Sequence, residues 1–232
     1  MGSLLTAPPT DLAGLEARIT TCRRCPRLVA WRERVAREKR AAFARETYWG
    51  RPIPGFGDPA ARVYILGLAP AAHGANRTGR IFTGDRSGDF LIAAMHRTGF
   101  ANQPTSRSID DGLALHDAWI GAAVRCAPPE NKPTPQERAN CRPWSVQELG
   151  LLQQVRVILC LGALAWDAAL TLRGGPVPRP KPRFAHGAHF DDGAGLPLLA
   201  TFHPSQQNTF TGRLTPAMLD DVLARARTLA DT

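Results

Sequence analysis

The run VYILGLAPAAHGANRTGRIFTGD, residues 63–85, opens on four consecutive apolar or aromatic residues and passes at Gly67 into a glycine-rich turn that ends on a carboxylate. An apolar run without polar alternation suits a strand buried on both faces, as in a parallel sheet covered by helices. Similar runs recur at Trp119–Val124, Val157–Leu161 and Leu198–Phe202, each flanked by helical periodicity or turn residues. The alternation predicts a three-layer α/β fold, with roughly four parallel strands and helices on both sides. No internal repeat or linker is visible, so a single domain over residues 1–232 is expected, and that length allows one well-buried core.

Helix starts are legible. Thr134-Pro135-Gln136-Glu137 combines a capping Thr, a Pro at the first helical position and a Glu completing a capping box. Thr215-Pro216 repeats part of that signal ahead of the stripe Leu219, Val222, Leu223 and Ala226. Pro143 falls inside the first of these helices and predicts a bend or early break. Gly174 to Gly195 reads as a long loop, and Tyr48 to Pro59 as irregular backbone.

Cys22 and Cys25 form a C-x-x-C pair followed by Pro26, while Cys126 and Cys141 lie far downstream. No hydrophobic leader precedes them, so a reducing cytoplasmic setting is expected, where such thiols serve a metal rather than disulfides. A lone cysteine is more often a small buried hydrophobe, which is how Cys160 reads within VILCL. Zinc ribbons usually bring two compact pairs close together in sequence, whereas C-x-x-C-P resembles runs that hold iron–sulfur clusters. The spacing therefore favours iron–sulfur over zinc.

The formal net charge is +9, which favours partners carrying phosphates or acidic surfaces. The most basic run, LVAWRERVAREKRAAFARE at residues 28–46, suits either a solvated helix face or phosphate contacts. No apolar stretch approaches the roughly 20 residues of a spanning helix, so no membrane association is expected.

In open α/β sheets ligands bind beyond the carboxyl ends of the strands. Three segments occupy such places: residues 67–85, RCAPPENK at 125–132, and FHPSQQNTFTGR at 202–213. Their glycine spacing fits neither a P-loop nor the dinucleotide fingerprint, which disfavours a nucleotide triphosphatase. Together they bring carboxylate, amide, imidazole and aromatic groups to one edge.

These three segments, with the four cysteines and WGRPIPGFGD at residues 49–58, resemble the type-5 uracil-DNA glycosylases over nearly the whole chain. The resemblance implies an iron–sulfur protein of base-excision repair, with a 4Fe–4S cluster on Cys22, Cys25, Cys126 and Cys141 and uracil-containing DNA as its partner. It also implies a cytoplasmic protein, associated with the nucleoid when acting. A monomer is the simplest expectation. Where related glycosylases carry a polar residue just after the first strand, Ala69 follows Gly67 here, so the acidic group must come from elsewhere.

Hydrolysis of an N-glycosidic bond moves positive charge onto the sugar and negative charge onto the departing base, and requires the nucleotide to leave the stack. The resemblance gives Asp85 the sugar side, as general base or as electrostatic stabiliser, against the ordinary role of a helix-capping Asp. His203 would donate a hydrogen bond to the leaving base, against a role in capping the strand end. Asn131 would bond the base edge or a water, and Phe82 would stack on the base, with Gly67 and Ala69 lining the pocket. Asn76, Arg77 and Arg213 are candidate phosphate contacts, while Gln206 and Asn208 would fill space left by the extruded nucleotide. Hypoxanthine is a further substrate that the resemblance allows. The alternatives are a type-4 or mismatch-directed glycosylase, a non-catalytic iron–sulfur module that binds nucleic acid, and a redox carrier. The last two leave Asp85, Asn131 and His203 without a joint purpose.

Overall fold

A computed structural model describes residues 9–232; the first eight residues of the expected domain lie outside the described residues. Its central sheet holds β1 (Phe56–Gly57), β2 (Val63–Gly67), β3 (Ala118–Ala122), β4 (Val157–Leu161), β5 (His189–Phe190) and β6 (Leu198–Thr201). The order is β1-β3-β2-β4-β6-β5. The four expected strands are the parallel centre, with Ile65 opposite Ile120 on one side and Leu159 on the other. Two short antiparallel edges, β1 on β3 and β5 on β6, make the sheet mixed and six-stranded rather than four-stranded. They fall inside the segments expected to be irregular.

Alternation along the strands sends side chains to two helical layers. Val63, Ile65, Ile120, Leu159 and Leu199 meet Leu91, Ile92 and Met95 of α4 (Arg86–Arg97) and Leu219, Val222, Leu223 and Ala226 of α8 (Pro216–Asp231). Tyr64, Leu66, Ile158, Cys160 and Ala200 meet Ala165, Trp166 and Ala169 of α6 (Ala163–Ala169). Cys160 is thus a core residue. A third apolar cluster joins Leu15 and Ile19 of α1 (Leu12–Thr20), Leu28 of α2 (Pro26–Glu38), and Cys141 and Trp144 of α5 (Pro135–Leu151).

The capping box at Thr134 and Glu137 is formed, and Thr215 caps α8. Of the bend or early break expected at Pro143, the break does not occur: α5 runs through it for 17 residues. A proline inside a helix removes one backbone bond at a cost of about 3 kcal/mol. Here it is flanked by anchored residues: Cys141, Trp144, Ser145 and Glu148 are buried, and Glu148 accepts from Arg125 and from the Tyr64 hydroxyl. Two short helices, α3 (Ala75–Thr78) and α7 (Gln206–Phe210), stiffen the loops beyond β2 and β6. No helix among the described residues is long and apolar enough to cross a membrane.

Candidate active site

The segments after β2, β3 and β6 meet at the carboxyl ends of the parallel strands around a cavity of about 470 Å³. Its wall includes Ala69, Ala71, Phe82, Asp85, Asn131 and His203. Ala71, Asp85 and Asn131 also border a neighbouring groove of about 750 Å³, so the carboxylate stands where the two spaces meet.

Asp85 caps α4: its Oδ1 accepts from the Gly88 amide at 2.9 Å, and its other oxygen lies against Gly74. A Cβ at Gly74 would stand 1.9 Å from that oxygen, so only glycine leaves the carboxylate room there. The capping role and a chemical role are thus compatible, one oxygen for each. Burial raises the Asp85 pKa above the ordinary carboxylate value, partly offset by the Gly88 and Ser87 amides. The Phe82 ring lies on the end of β2, where a Cβ at Gly67 would crowd it at 3.1 Å. Phe82 adopts a left-handed backbone (φ 49°), which carries the ring inward from the turn.

His203 stands beside Phe82, with ring centroids 6.1 Å apart and planes tilted by 34°. Its imidazole has no hydrogen-bond partner among the described residues, and burial lowers its pKa to about 4, so the ring is neutral at pH 7. The loop that carries it is fixed by Asn208, whose Nδ2 donates to the His203 carbonyl at 2.8 Å. Asn208 therefore braces the loop. Asn131 ends a short 3-10 turn at Pro129–Asn131, with Glu130 and Asn131 both at positive φ (54° and 57°). Asn tolerates that conformation better than most residues, and its amide is left without a protein partner among the described residues.

Two expected phosphate contacts are engaged within the protein, although Arg77 also lines the groove. Asn76 is fully buried, its Nδ2 donating to the Arg32 carbonyl at 3.2 Å. Arg77 is bonded to Glu46, to the His73 carbonyl and to the Gly84 carbonyl, and stacks on Phe43, so its charge holds the loop together. Gln206 is exposed on the groove, and Arg213 is exposed with its guanidinium over Phe202.

The groove instead presents Arg40, Arg86 and Arg107, none of them paired with a carboxylate among the described residues, although Asp89 also lines it. Arg86 sits over Phe210, which is 68% exposed at the end of α7. Arg40 belongs to the basic run and Arg86 adjoins Asp85, signals that were available in the sequence. Phe210 lies in the third strand-end segment, whereas Arg107 had no such signal.

Cys22, Cys25, Cys126 and Cys141 line one small void, about 20 Å³, with Leu28, Val29, Val124 and Trp144. Three sulfurs receive N–H donors: Cys126 from Arg32 at 3.0 Å, Cys141 from the Arg125 amide at 3.2 Å and Cys25 from Asn140 at 3.7 Å. Burial pushes the Cys126 thiol up to about 11 and the Cys141 thiol up to about 12. Among the described residues no three His, Cys, Asp or Glu side chains converge closely enough to hold a single metal ion.

The family model of the uracil DNA glycosylase superfamily matches residues 54–227. The chain is 57% identical over 221 residues to a type-5 uracil-DNA glycosylase of Mycobacterium tuberculosis, covering 95% of this chain and 82% of that one. It is 53% identical over 212 residues to a type-5 uracil-DNA glycosylase of Thermus thermophilus, covering 91% and 95%. Similarity to a type-4 uracil-DNA glycosylase of Pyrobaculum aerophilum is lower, 28% over 165 residues, covering 71% and 67%.

Proposed function

The chain belongs to the uracil-DNA glycosylase superfamily and, within it, to the type-5 group, and from that premise we propose that Asp85, Asn131, His203 and Phe82 carry its reaction. It is a uracil-DNA glycosylase of base-excision repair, which hydrolyses the N-glycosidic bond of uracil in DNA. The observation that supports these residue roles is their shared cavity at the strand ends, with a buried carboxylate and a neutral imidazole in one wall.

The target nucleotide turns out of the stack and its uracil enters on the face of Phe82, where stacking contributes roughly 1–3 kcal/mol. The C1′–N1 bond then breaks, its electron pair leaving with the base. His203 donates its one N–H to a uracil carbonyl as that charge grows; a neutral donor suffices, and it costs no protonation at pH 7. On the sugar side, the free oxygen of Asp85 orients a water and takes its proton as the water oxygen bonds C1′. The raised pKa suits a base, and a carboxylate in low dielectric also stabilises the sugar cation more than it would in water. Asn131 holds the base edge or the water from the opposite loop.

Ala69 and Ala71 are short wall residues, and the space they leave admits bases beyond uracil, hypoxanthine among them. Arg40, Arg86 and Arg107 take the phosphates of the lesion strand, with Gln206 and Arg213 at the rim, in place of Asn76 and Arg77. Phe210 faces the duplex from the end of α7. Every residue in this scheme comes from one chain, and a monomer remains the simplest working unit.

The four cysteines would hold a 4Fe–4S cluster. Four thiols around one void, with N–H donors directed at three of them, suit a thiolate-bound group. Its contribution here would be structural, cross-linking α2 to the start of α5, since hydrolysis transfers no electron.

Incubation of purified protein with uracil-containing oligonucleotide should give strand scission only after alkali, the mark of an abasic product. Release of uracil without dependence on Asp85 would overturn the assignment of residues. The cluster is checked separately by iron and sulfide content and by visible absorption; colourless, iron-free protein would remove it.

A further inference from the structure

Arg32 sits in the middle of α2, only 2% exposed, and has partners from distant parts of the chain. Its Nη1 is 3.0 Å from Cys126 Sγ and its Nη2 donates to the Cys22 carbonyl at 3.3 Å. Its own carbonyl accepts from Asn76 Nδ2 on α3. A charged group buried between two sulfur-bearing segments is expensive to place there, and with its Nε unpartnered the cost is offset by the two Nη contacts, which must stay in register.

From α3 the contacts lead straight to the catalytic carboxylate. Arg77 Nη2 donates to the Gly84 carbonyl at 2.8 Å, and Thr78 Oγ1 donates to the Thr83 carbonyl at 3.3 Å, so α3 fixes the two peptides ahead of Asp85. Gly74, which caps α3, is the surface against which the free carboxylate oxygen lies. Ser106, Arg80 and Asp111 brace the same turn from the other side through Thr83.

We propose that Arg32 and Asn76 are positioning residues through which the four-cysteine site sets the placement of Asp85. Arg32 holds α2 to the sulfurs, Asn76 holds α3 to α2, and α3 holds the turn that carries the carboxylate. Neither residue touches DNA or base. The proposal rests on the reading of Cys22, Cys25, Cys126 and Cys141 as a cluster site and of Asp85 as a catalytic group. It gives the cluster a role in the geometry of a reaction that uses none of its electrons.

The test is a double-mutant cycle with Arg32→Met and Asn76→Leu, read by single-turnover excision at saturating enzyme, by affinity for DNA carrying an uncleavable uracil nucleotide, and by iron content and visible absorption. Arg62→Met, which breaks ion pairs to Asp117 and Asp231 away from both sites, is the control for loss of stability alone. Asn76→Leu should keep iron and absorption at the wild-type level and DNA affinity within about twofold, while excision slows about 10- to 100-fold, the scale of a displacement near 1 Å. Arg32→Met should slow excision by a similar factor and bleach faster in air. The double variant should be no slower than the slower single one, because both break one chain of contacts.

Excision within about threefold of wild type in Asn76→Leu, or slowing that multiplies in the double variant, would overturn the link. If Arg32→Met does not fold, Arg32→Lys with Asn76→Ala forms the same cycle and decides by the same criterion. Iron-free wild-type protein with non-additive slowing would remove the cluster and leave the link; normal iron with multiplied slowing would do the reverse. If Asp85 is not catalytic, Asp85→Asn will excise normally, and that outcome is read independently of the cycle.

Discussion

Two polar regions lie side by side in this molecule and treat their polar groups in opposite ways. At the cysteines the chain supplies partners for the sulfurs, though the Nε atoms of Arg32 and Arg125 stay unpaired: Arg32, Arg125 and Asn140 donate to sulfur, and Arg27 and the Thr134 cap secure Glu137 at the start of α5. In the cleft the polar groups are left open. His203 and Asn131 have no side-chain partner among the described residues, Asp85 keeps one oxygen off its cap, and Arg40 and Arg107 face the groove without a carboxylate. These cleft groups border open space, where an arriving ligand can supply the partners the chain does not. On the proposed reading, one region fixes the fold and the other receives DNA.

The largest effect expected from this contrast is on the closed side. Cys141→Ser replaces a buried sulfur that receives the Arg125 amide and lines the void with the other three. Loss of a metal-ligand site is among the few single changes that cost roughly 4–5 kcal/mol or more, against a total stability of about 5–15 kcal/mol. The variant should lose its visible absorption and unfold far below wild type in thermal melts. A variant that melts as wild type does would move the cysteines out of the structural class.

On the open side the order reverses, with a large effect on rate and none of that kind on the fold. Asp85→Asn keeps an acceptor for the Gly88 amide, and Asn caps helices as well as Asp does. Excision should fall about 10²- to 10⁴-fold. Stability should rise at neutral pH. A group whose folded pKa is raised adds stability below its unfolded pKa and loses it as pH rises through the folded value, so at pH 7 the wild-type carboxylate is a burden that Asn removes. The gain should shrink in melts taken toward the ordinary carboxylate range. A melt lower than wild type at pH 7 would mean that the capping role dominates.

His203→Ala should slow excision about 10²- to 10³-fold, the usual cost of removing one donor to a developing anion. Its pH signature is separate. The folded imidazole resists its proton down to about 4 while the unfolded one accepts it near 6.5, so wild-type stability is complete above the latter and declines as pH falls through that window. His203→Gln should lack that portion of the decline. Identical pH profiles for the two proteins would show that the imidazole is not desolvated as described.

The central strands and the caps at Thr134 and Thr215 were legible because burial on both faces and helix capping write local signals into the sequence. The edge strands β1 and β5 were not, since two residues carry no periodicity and their pairing is decided by the neighbour across the sheet. Helices α3 and α7 were likewise too short to show a period. Within the site, Asp85, Asn131 and His203 could be found because each lies in a segment that runs on from a strand end and because those segments resemble the type-5 uracil-DNA glycosylases. Asn76 and Arg77 were misread for a physical reason: their partners, Arg32 and Glu46, lie 44 and 31 residues away, and an arginine in a polar loop looks the same whether it faces solvent or a buried carbonyl.

The smallest predicted effect tests that last distinction. Arg86→Gln removes an unpaired charge from the groove, and if it meets a phosphate the slope of log affinity against log salt should flatten by about one unit, with weakening that is uniform across sequences. Arg107→Gln should do the same, and the two should add, because separate phosphates release separate counterions. Arg77→Gln should behave otherwise. Its charge is already engaged by Glu46, so the salt slope should stay at the wild-type value while the melt drops, through loss of the bonds to the His73 and Gly84 carbonyls. A flattened slope in Arg77→Gln, with none in Arg86→Gln, would return the phosphate contacts to the loop and leave the groove arginines as simple surface charge.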